Sequence, residues 1–216
     1  MATTYDNASL VMIPSGVKES KLYSVKPTDG SGDFTFSRGT DTATRVNASG
    51  LIEKERGNLL PYSNTFSNAA WTKQDLTATS GQTGYDGSSD AWLLSKSDAS
   101  GQLLRSISAS VSTYSVYAKA GTLAWLRLYI DISGSNTYAF YNLASGVVGT
   151  TSNDISTTIE SVGSGWYRCT LTAKNGGVTC RINPADADGD VSGTSGSIFI
   201  QDAMLNQGLV AQPYIE

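Results

Sequence analysis

In the run TLAWLRLYIDI, apolar side chains fall at every second position: Ala124, Leu126, Leu128, Ile130 and Ile132 share one side, and Leu123, Trp125, Arg127, Tyr129 and Asp131 the other. A period of two is that of a strand, not a helix. The even set reads as core. The odd set mixes aromatics with both charge signs, the composition of an interface or a sugar-binding platform. Comparable strand-length runs follow one another from KQDLTATS to GSIFIQDAML, and Gly, Ser, Asn or Asp mark most of the gaps. About eight to ten such strands without a convincing helix predict an all-β fold, an antiparallel two-sheet jelly-roll sandwich.

Residues 1–57 read differently. KLYSVKP and DFTFSR are short alternating segments, and ATRVNASGLIEKERGN reads as a hairpin turning at Asn47-Ala48-Ser49-Gly50. Few large apolar residues are present, so this extended, hairpin-containing N-terminal arm is expected to be completed by packing on another chain or on the main domain. The expected organisation is an arm over 1–57 and a jelly roll over 58–216.

The stretch GWYRC places Trp166, Tyr167, Arg168 and Cys169 on consecutive residues, and TLTAKNGGVT follows with a turn signal at Asn175-Gly176. A two-residue loop there pairs Leu171 with Cys180 and Cys169 with Ile182. Tyr167, Cys169 and Leu171 then face the core with Val178, Cys180 and Ile182, while Trp166 and Arg168 lie opposite beside Thr170, Thr172 and Arg181, on a side that needs a partner. The two cysteines sit diagonally, which favours free, buried thiols over a disulfide. Trp71 and Trp92, at strand starts, read as core or rim packing.

Composition narrows the function classes. Ser and Thr make up roughly a quarter of the 216 residues, beside 22 Gly and 5 Pro, the balance of a turn-rich β protein. A hydrophobic share of 39% is too high for a disordered chain. The net charge of −4, with a pI near 4.8 and basic residues scattered singly, argues against nucleic acid as a partner. No run approaches the 18 or so apolar residues of a membrane span, and MATTYDNASLVMIP lacks the basic and apolar regions of a secretory signal.

Histidine is absent, which removes the commonest general base and the usual serine triad, and no Gly-x-Ser-x-Gly elbow is present. From this the chain is expected not to be an enzyme, although Asp131, Glu160, Asp186, Asp188 and Asp190 are carboxylates that folding could pair. The run NPADADGDVSG looks like a calcium loop but fails the EF-hand pattern: counted from Asp186, position six is Val191 and position twelve Ser197. No cofactor and no metal ligand set is expected, with an irregular calcium site the one alternative. The candidate glycan- or subunit-contact residues are Trp125, Arg127, Tyr129, Tyr138, Tyr141, Trp166 and Arg168.

Six segments taken in order, NLLPYSNTFSNAAWTK, YDGSSDAWLL, YSVYAKAGT, FYNLASGVVG, VGSGWYRCTLTA and IFIQDAMLNQGLVAQPYIE, resemble the head-spike and tail-fibre domain of tailed bacteriophages, similar in fold to jelly-roll carbohydrate-binding modules. DFTFSRGTDTATRVNASGLIEKERGN also resembles the segment that leads into that domain, so the likeness spans roughly residues 33–216. It implies a structural virion protein made in the host bacterial cytoplasm and displayed on the particle surface, often as a homotrimer. The chain ending at Tyr214-Ile215-Glu216 favours a short head fibre or capsid decoration subunit, with residues 1–57 docking on a capsid or other virion protein. A tail-fibre adhesin that binds host or mucus glycans is the alternative, and an accessory domain of a polysaccharide depolymerase the third. In an assembled fibre, contact with a sister subunit is the preferred role for the aromatic face, because interfaces enrich Trp, Tyr and Arg.

Overall fold

The computed structural model describes residues 7–18, 21–35, 44–46, 52–54, 57–132, 136–152, 155–174 and 177–215. The chain divides into two compact units, Met1–Glu55 and Arg56–Glu216. In the first, β1 (Val11–Lys18), β2 (Lys21–Lys26) and β3 (Phe34–Thr35) form an antiparallel sheet in that order, and β4 (Thr44–Val46) pairs with β5 (Ile52–Lys54). The β4–β5 register joins Val46 to Ile52, so these two segments pair, and the turn expected at 47–50 lies outside the described residues. The strand β1, which contains Pro14, was not foreseen. Leu10, Tyr23, Val25 and Phe34 are exposed in this unit.

The second unit contains β6 (Thr72–Gln74), β7 (Leu76–Gln82), β8 (Ala91–Lys96), β9 (Gln102–Ala109), β10 (Ser112–Ala120), β11 (Trp125–Ile132), β12 (Thr137–Asn142), β13 (Val147–Thr151), β14 (Ser156–Gly163), β15 (Trp166–Ala173), β16 (Gly177–Ala185) and β17 (Gly196–Gln207). They build two six-stranded antiparallel sheets, ordered β14-β15-β10-β17-β8-β7 and β13-β12-β11-β16-β9-β6. Stripped of its outermost strands, each sheet is one four-stranded half of a jelly roll: β8-β17-β10-β15 faces β9-β16-β11-β12, and the chain crosses between the two sheets at β6–β7, β8–β9, β9–β10, β10–β11, β13–β14, β15–β16 and β16–β17. The all-β sandwich expected from the alternation is therefore the observed fold.

Alternation also places the core. Leu126, Leu128 and Ile130 of β11 point inward, with Ala139 and Tyr141 of β12 and Cys180 and Ile182 of β16 beside them. The facing sheet contributes Tyr114, Val116 and Ala118 of β10, Cys169 and Leu171 of β15, and Ile198 and Ile200 of β17. Trp71 and Trp92 are buried as expected, each edge-on to Phe66 with ring centroids 5.2 and 5.8 Å apart. A bulge at Asp202 (φ 52°) shifts the β10–β17 register and returns Ala203 and Leu205 to the core side.

The expected hairpin register of the two cysteines is wrong. β15 and β16 do not pair: Cys169 stands opposite Val116 and Ile159 in one sheet, and Cys180 opposite Ile130 and Arg105 in the other. Inward apolar positions look the same for two strands of one hairpin and for two strands in facing sheets, and here the chain changes sheets. The turn residues 175 and 176 lie outside the described residues. Both thiols are free and buried, and burial pushes both pKa values up.

Candidate functional site

The two outer faces of the sandwich have different fates. On the β10–β15–β17 side, Trp166 and Arg168 do point outward, opposite Lys119 and Tyr117. The chain then covers them itself. The loop after β7 brings the Tyr85 ring parallel to Tyr117, with centroids 3.9 Å apart, and edge-on to Trp166 at 6.5 Å. That loop is held by Gln201, whose side-chain oxygen accepts the Tyr85 N–H at 3.0 Å and whose amide donates to Asp90 at 2.8 Å. A Cβ on Gly84 would collide with Gln201 Oε1 and would push that side chain off its present hydrogen bonds. The last described residues lie along the same face: Thr113 Oγ1 donates to the Gly208 carbonyl at 2.9 Å, Asn206 Nδ2 to the Val210 carbonyl at 2.9 Å, and Arg168 Nη2 to the Gln212 carbonyl. Farther along, Asn58 Nδ2 donates to the Ile215 carbonyl at 3.0 Å, and Tyr214 Oη sits 2.7 Å from Ser63 Oγ. Trp166 is left 1% exposed. The partner that this side of GWYRC called for is the chain's own loop and C-terminal segment, so Trp166 is withdrawn as a contact residue and Arg168 is engaged within the fold.

On the other sheet, β11 runs between β16 and β12, and register sets out a grid. Trp125 is flanked by Ala185 and Asn142, Arg127 by Asn183 and Phe140, and Tyr129 by Arg181 and Tyr138. Trp125, Arg127, Tyr129 and Tyr138, all singled out from sequence, are brought together here and half-buried. Tyr141 is not among them. It lies one residue out of phase, opposite Leu126, fully buried with its hydroxyl donating to the Thr170 carbonyl at 2.5 Å. Phe140 and Asn183 are the members that sequence reading missed, and Arg181, expected beside Trp166 and Arg168, stands instead opposite Tyr129 in this sheet because β16 does not pair with β15. β12 carries large apolar residues on both faces, and only pairing to β11 tells Phe140 from Tyr141.

The polar groups of this face bond to one another within the sheet. Arg181 forms an ion pair with Asp131 and donates to Gln102 Oε1 at 3.3 Å, and Gln102 donates to Gln74 at 2.8 Å. Asn183 Nδ2 reaches the Gly101 carbonyl and Gln102 Oε1, both at 3.4 Å, which turns Asn183 Oδ1 toward Arg127 Nε at 3.4 Å. Tyr129 and Tyr138 stack within 10° of parallel at 6.3 Å. The Tyr129 ring also receives the guanidiniums of Arg127 and Arg181, at 5.3 and 5.1 Å. Burial, then the Asp131 carboxylate, raises the Tyr129 pKa; burial first, with the Arg181 charge adding to it, lowers that of Arg127. Trp125 differs from the tyrosines, because no ring or cation stacks on it among the described residues. Its ring edge lies against Gly149, where a Cβ would come within 2.7 Å of it, and Asp188 Oδ1 accepts the Thr150 N–H at 2.6 Å beside it.

The loop that looked like a calcium site is organised by a lysine. Lys96, its side chain fully buried, places Nζ 2.5 Å from Asp186 Oδ2, which also accepts the Gly193 N–H at 2.8 Å. Asp190 accepts the Ser192 N–H at 2.8 Å, and these serine hydrogen bonds lower its pKa. Among the described residues no group of three or more His, Cys, Asp or Glu could hold a metal. Of the carboxylates that might have been paired, Asp131 is on the outer face of one sheet and Glu160, opposite Arg168, on that of the other.

These features define a jelly roll with one outer face covered by its own chain and one half-buried face of aromatic and guanidinium groups. No family model matches the chain, and no curated protein does. Among solved structures it is similar to the enzymatically active domain of tailspike protein 4 of bacteriophage CBA120, at 17% identity and a TM-score of 0.31, over 71% of this chain and 21% of that one. The likeness is to a phage tail-associated protein, and no head fibre is among these findings. That domain is enzymatically active; the expectation that the present chain is not an enzyme is withdrawn. Lack of histidine leaves carboxylate chemistry open, so composition had been asked to exclude too much.

Proposed function

We propose that this chain is a bacteriophage virion-surface protein, a head fibre or decoration subunit, that uses the Trp125–Arg127–Tyr129 face to bind glycans of the host cell or of mucus. Residues 1–57 attach it to a capsid or other virion protein, and the jelly roll displays the face. The ordered segment resemblance supports the phage origin. The observation that carries the binding role is Trp125: a half-buried indole with no stacking partner, beside amide and guanidinium groups already held in place. A pyranose presents an apolar C–H side to such a ring and hydroxyls to such a rim. A glycan array probed with the protein tests this. Binding that is lost in Trp125→Ala, by about tenfold or more for the loss of one stacking surface, is expected. No bound glycan at millimolar sensitivity sinks the reading.

The second reading makes the same face a contact between copies in a homotrimer, favoured by its Tyr and Arg content. Sedimentation velocity separates the two: a trimer that Arg127→Asp dissociates places the face between subunits. Co-sedimentation of the protein with purified capsids, with and without residues 1–57, tests the attachment role of the arm.

A further inference from the structure

We infer that the glycan taken by this face is acidic: a uronic-acid residue seats its ring on Trp125 and its carboxylate on the terminal nitrogens of Arg127. The inference rests on the glycan reading above and narrows it to a substrate class.

The charges of the face do not balance. Arg181 is neutralised by Asp131. Arg127 is not: its one hydrogen bond goes from Nε to Asn183 Oδ1 at 3.4 Å, and among the described residues no carboxylate pairs with it. A guanidinium carries five N–H donors in a flat fork, and among the described residues the four on the terminal nitrogens of Arg127 meet no protein acceptor. Two aromatic rings flank the group, Tyr129 at 5.3 Å and Phe140 at 5.9 Å, and they exclude water without cancelling charge. A charge partly withdrawn from water and left unpaired is costly. The burial that disfavours it, reinforced by Arg181, is reflected in its lowered pKa.

Hydroxyls of a neutral sugar can accept the N–H groups, but they leave the charge uncompensated. A planar carboxylate does both, because its two oxygens match the fork bidentately. Position agrees with chemistry. Trp125 and Arg127 are two residues apart on one face of a strand, about 7 Å along it. A hexose ring on the indole, its exocyclic carboxylate accepting from the guanidinium N–H groups, covers that distance. Asn183, locked by Gly101 and Gln102, holds the Arg127 side chain in place before any ligand arrives.

Calorimetric titration of the full chain with polygalacturonate oligomers and with their carboxyl-reduced, neutral counterparts tests the inference. The wild type is expected to prefer the uronate form by about tenfold or more, the worth of a charge-assisted pair. Arg127→Gln is expected to lose that preference, Arg127→Lys to keep part of it, and Trp125→Ala to lose binding of both oligomers. Thermal melts of each variant establish that it folds. Equal wild-type affinity for the two oligomers overturns the acidic class and leaves the glycan reading standing. An undiminished preference in Arg127→Gln overturns the assignment to that residue. Failure to bind either oligomer overturns the acidic class, and the glycan reading falls with it only if neutral glycans on an array are not bound either.

Discussion

Tyr114 and Tyr141 face each other's sheets from β10 and β12, and both are buried. The Tyr141 hydroxyl donates to the Thr170 carbonyl and lies 2.7 Å from Thr157 Oγ1, whereas the buried Tyr114 hydroxyl has no hydrogen-bond partner among the described residues. An unmade bond in the core costs about 1–3 kcal/mol, and a made one contributes about 1 kcal/mol net. The two Tyr→Phe substitutions should therefore diverge in urea denaturation. Tyr141→Phe is expected to lower stability by about 1 kcal/mol, and Tyr114→Phe to leave it unchanged or raise it. Equal losses in both would show that Tyr114 has a partner, such as a buried water. Legibility at this scale is uneven. The alternation in β11 told inward from outward residue by residue, but Tyr141 and Phe140 are adjacent and both apolar, so nothing local distinguished core from surface. Trp166 was correctly assigned to the outer face and is nevertheless buried, because the groups that cover it are remote in sequence.

Among the elements, the 186–193 loop shows how an acidic turn can be satisfied without a metal. Lys96, projecting from the end of β8, supplies the positive charge internally, and Asp186 meets it. Removing one partner of a buried pair strands the other, at roughly 3–5 kcal/mol, though the partial exposure of Asp186 places the loss here toward the lower end. Lys96→Met is expected to lower the melting temperature markedly, and the double variant Lys96→Met, Asp186→Asn to recover most of the loss. A double variant no better than the single one would mean that the ion pair is not what holds the loop. The sequence showed the spacing of the aspartates and the failed EF-hand pattern, but not a lysine some ninety residues away. The same blindness explains the cysteine register, since periodicity tells a strand's inner face and says nothing about which sheet it joins.

The sandwich as a whole should be sensitive to alkali. Burial raises the pKa of both Cys169 and Cys180 in the folded state, while in the unfolded chain thiols titrate near 8.5. Below that pH both states hold the proton and stability is at its full value. Above it the unfolded state releases protons that the folded state retains, so stability falls as pH rises, by up to about 1.4 kcal/mol per pH unit for each thiol. Melting temperatures followed from pH 7 to 10 should decline above about pH 8.5, and Cys180→Ala should decline less steeply. Parallel curves for wild type and variant would assign the effect elsewhere. The all-β class and the two faces of β11 were readable because both follow from period two; the pairing of the sheets depends on contacts distant in sequence.

The position of β17 has a consequence for biosynthesis. It is the last strand of the second unit to be made, yet it lies between β10 and β8, and the residues after it seal Trp166. Until residues 196–215 have left the ribosome, β8 and β10 have no neighbour between them and expose open edges within the nascent chain. Closure of the sandwich thus waits for β17 and the residues after it to be made, and ribosome-stalled fragments ending before β17 would remain open to chaperones.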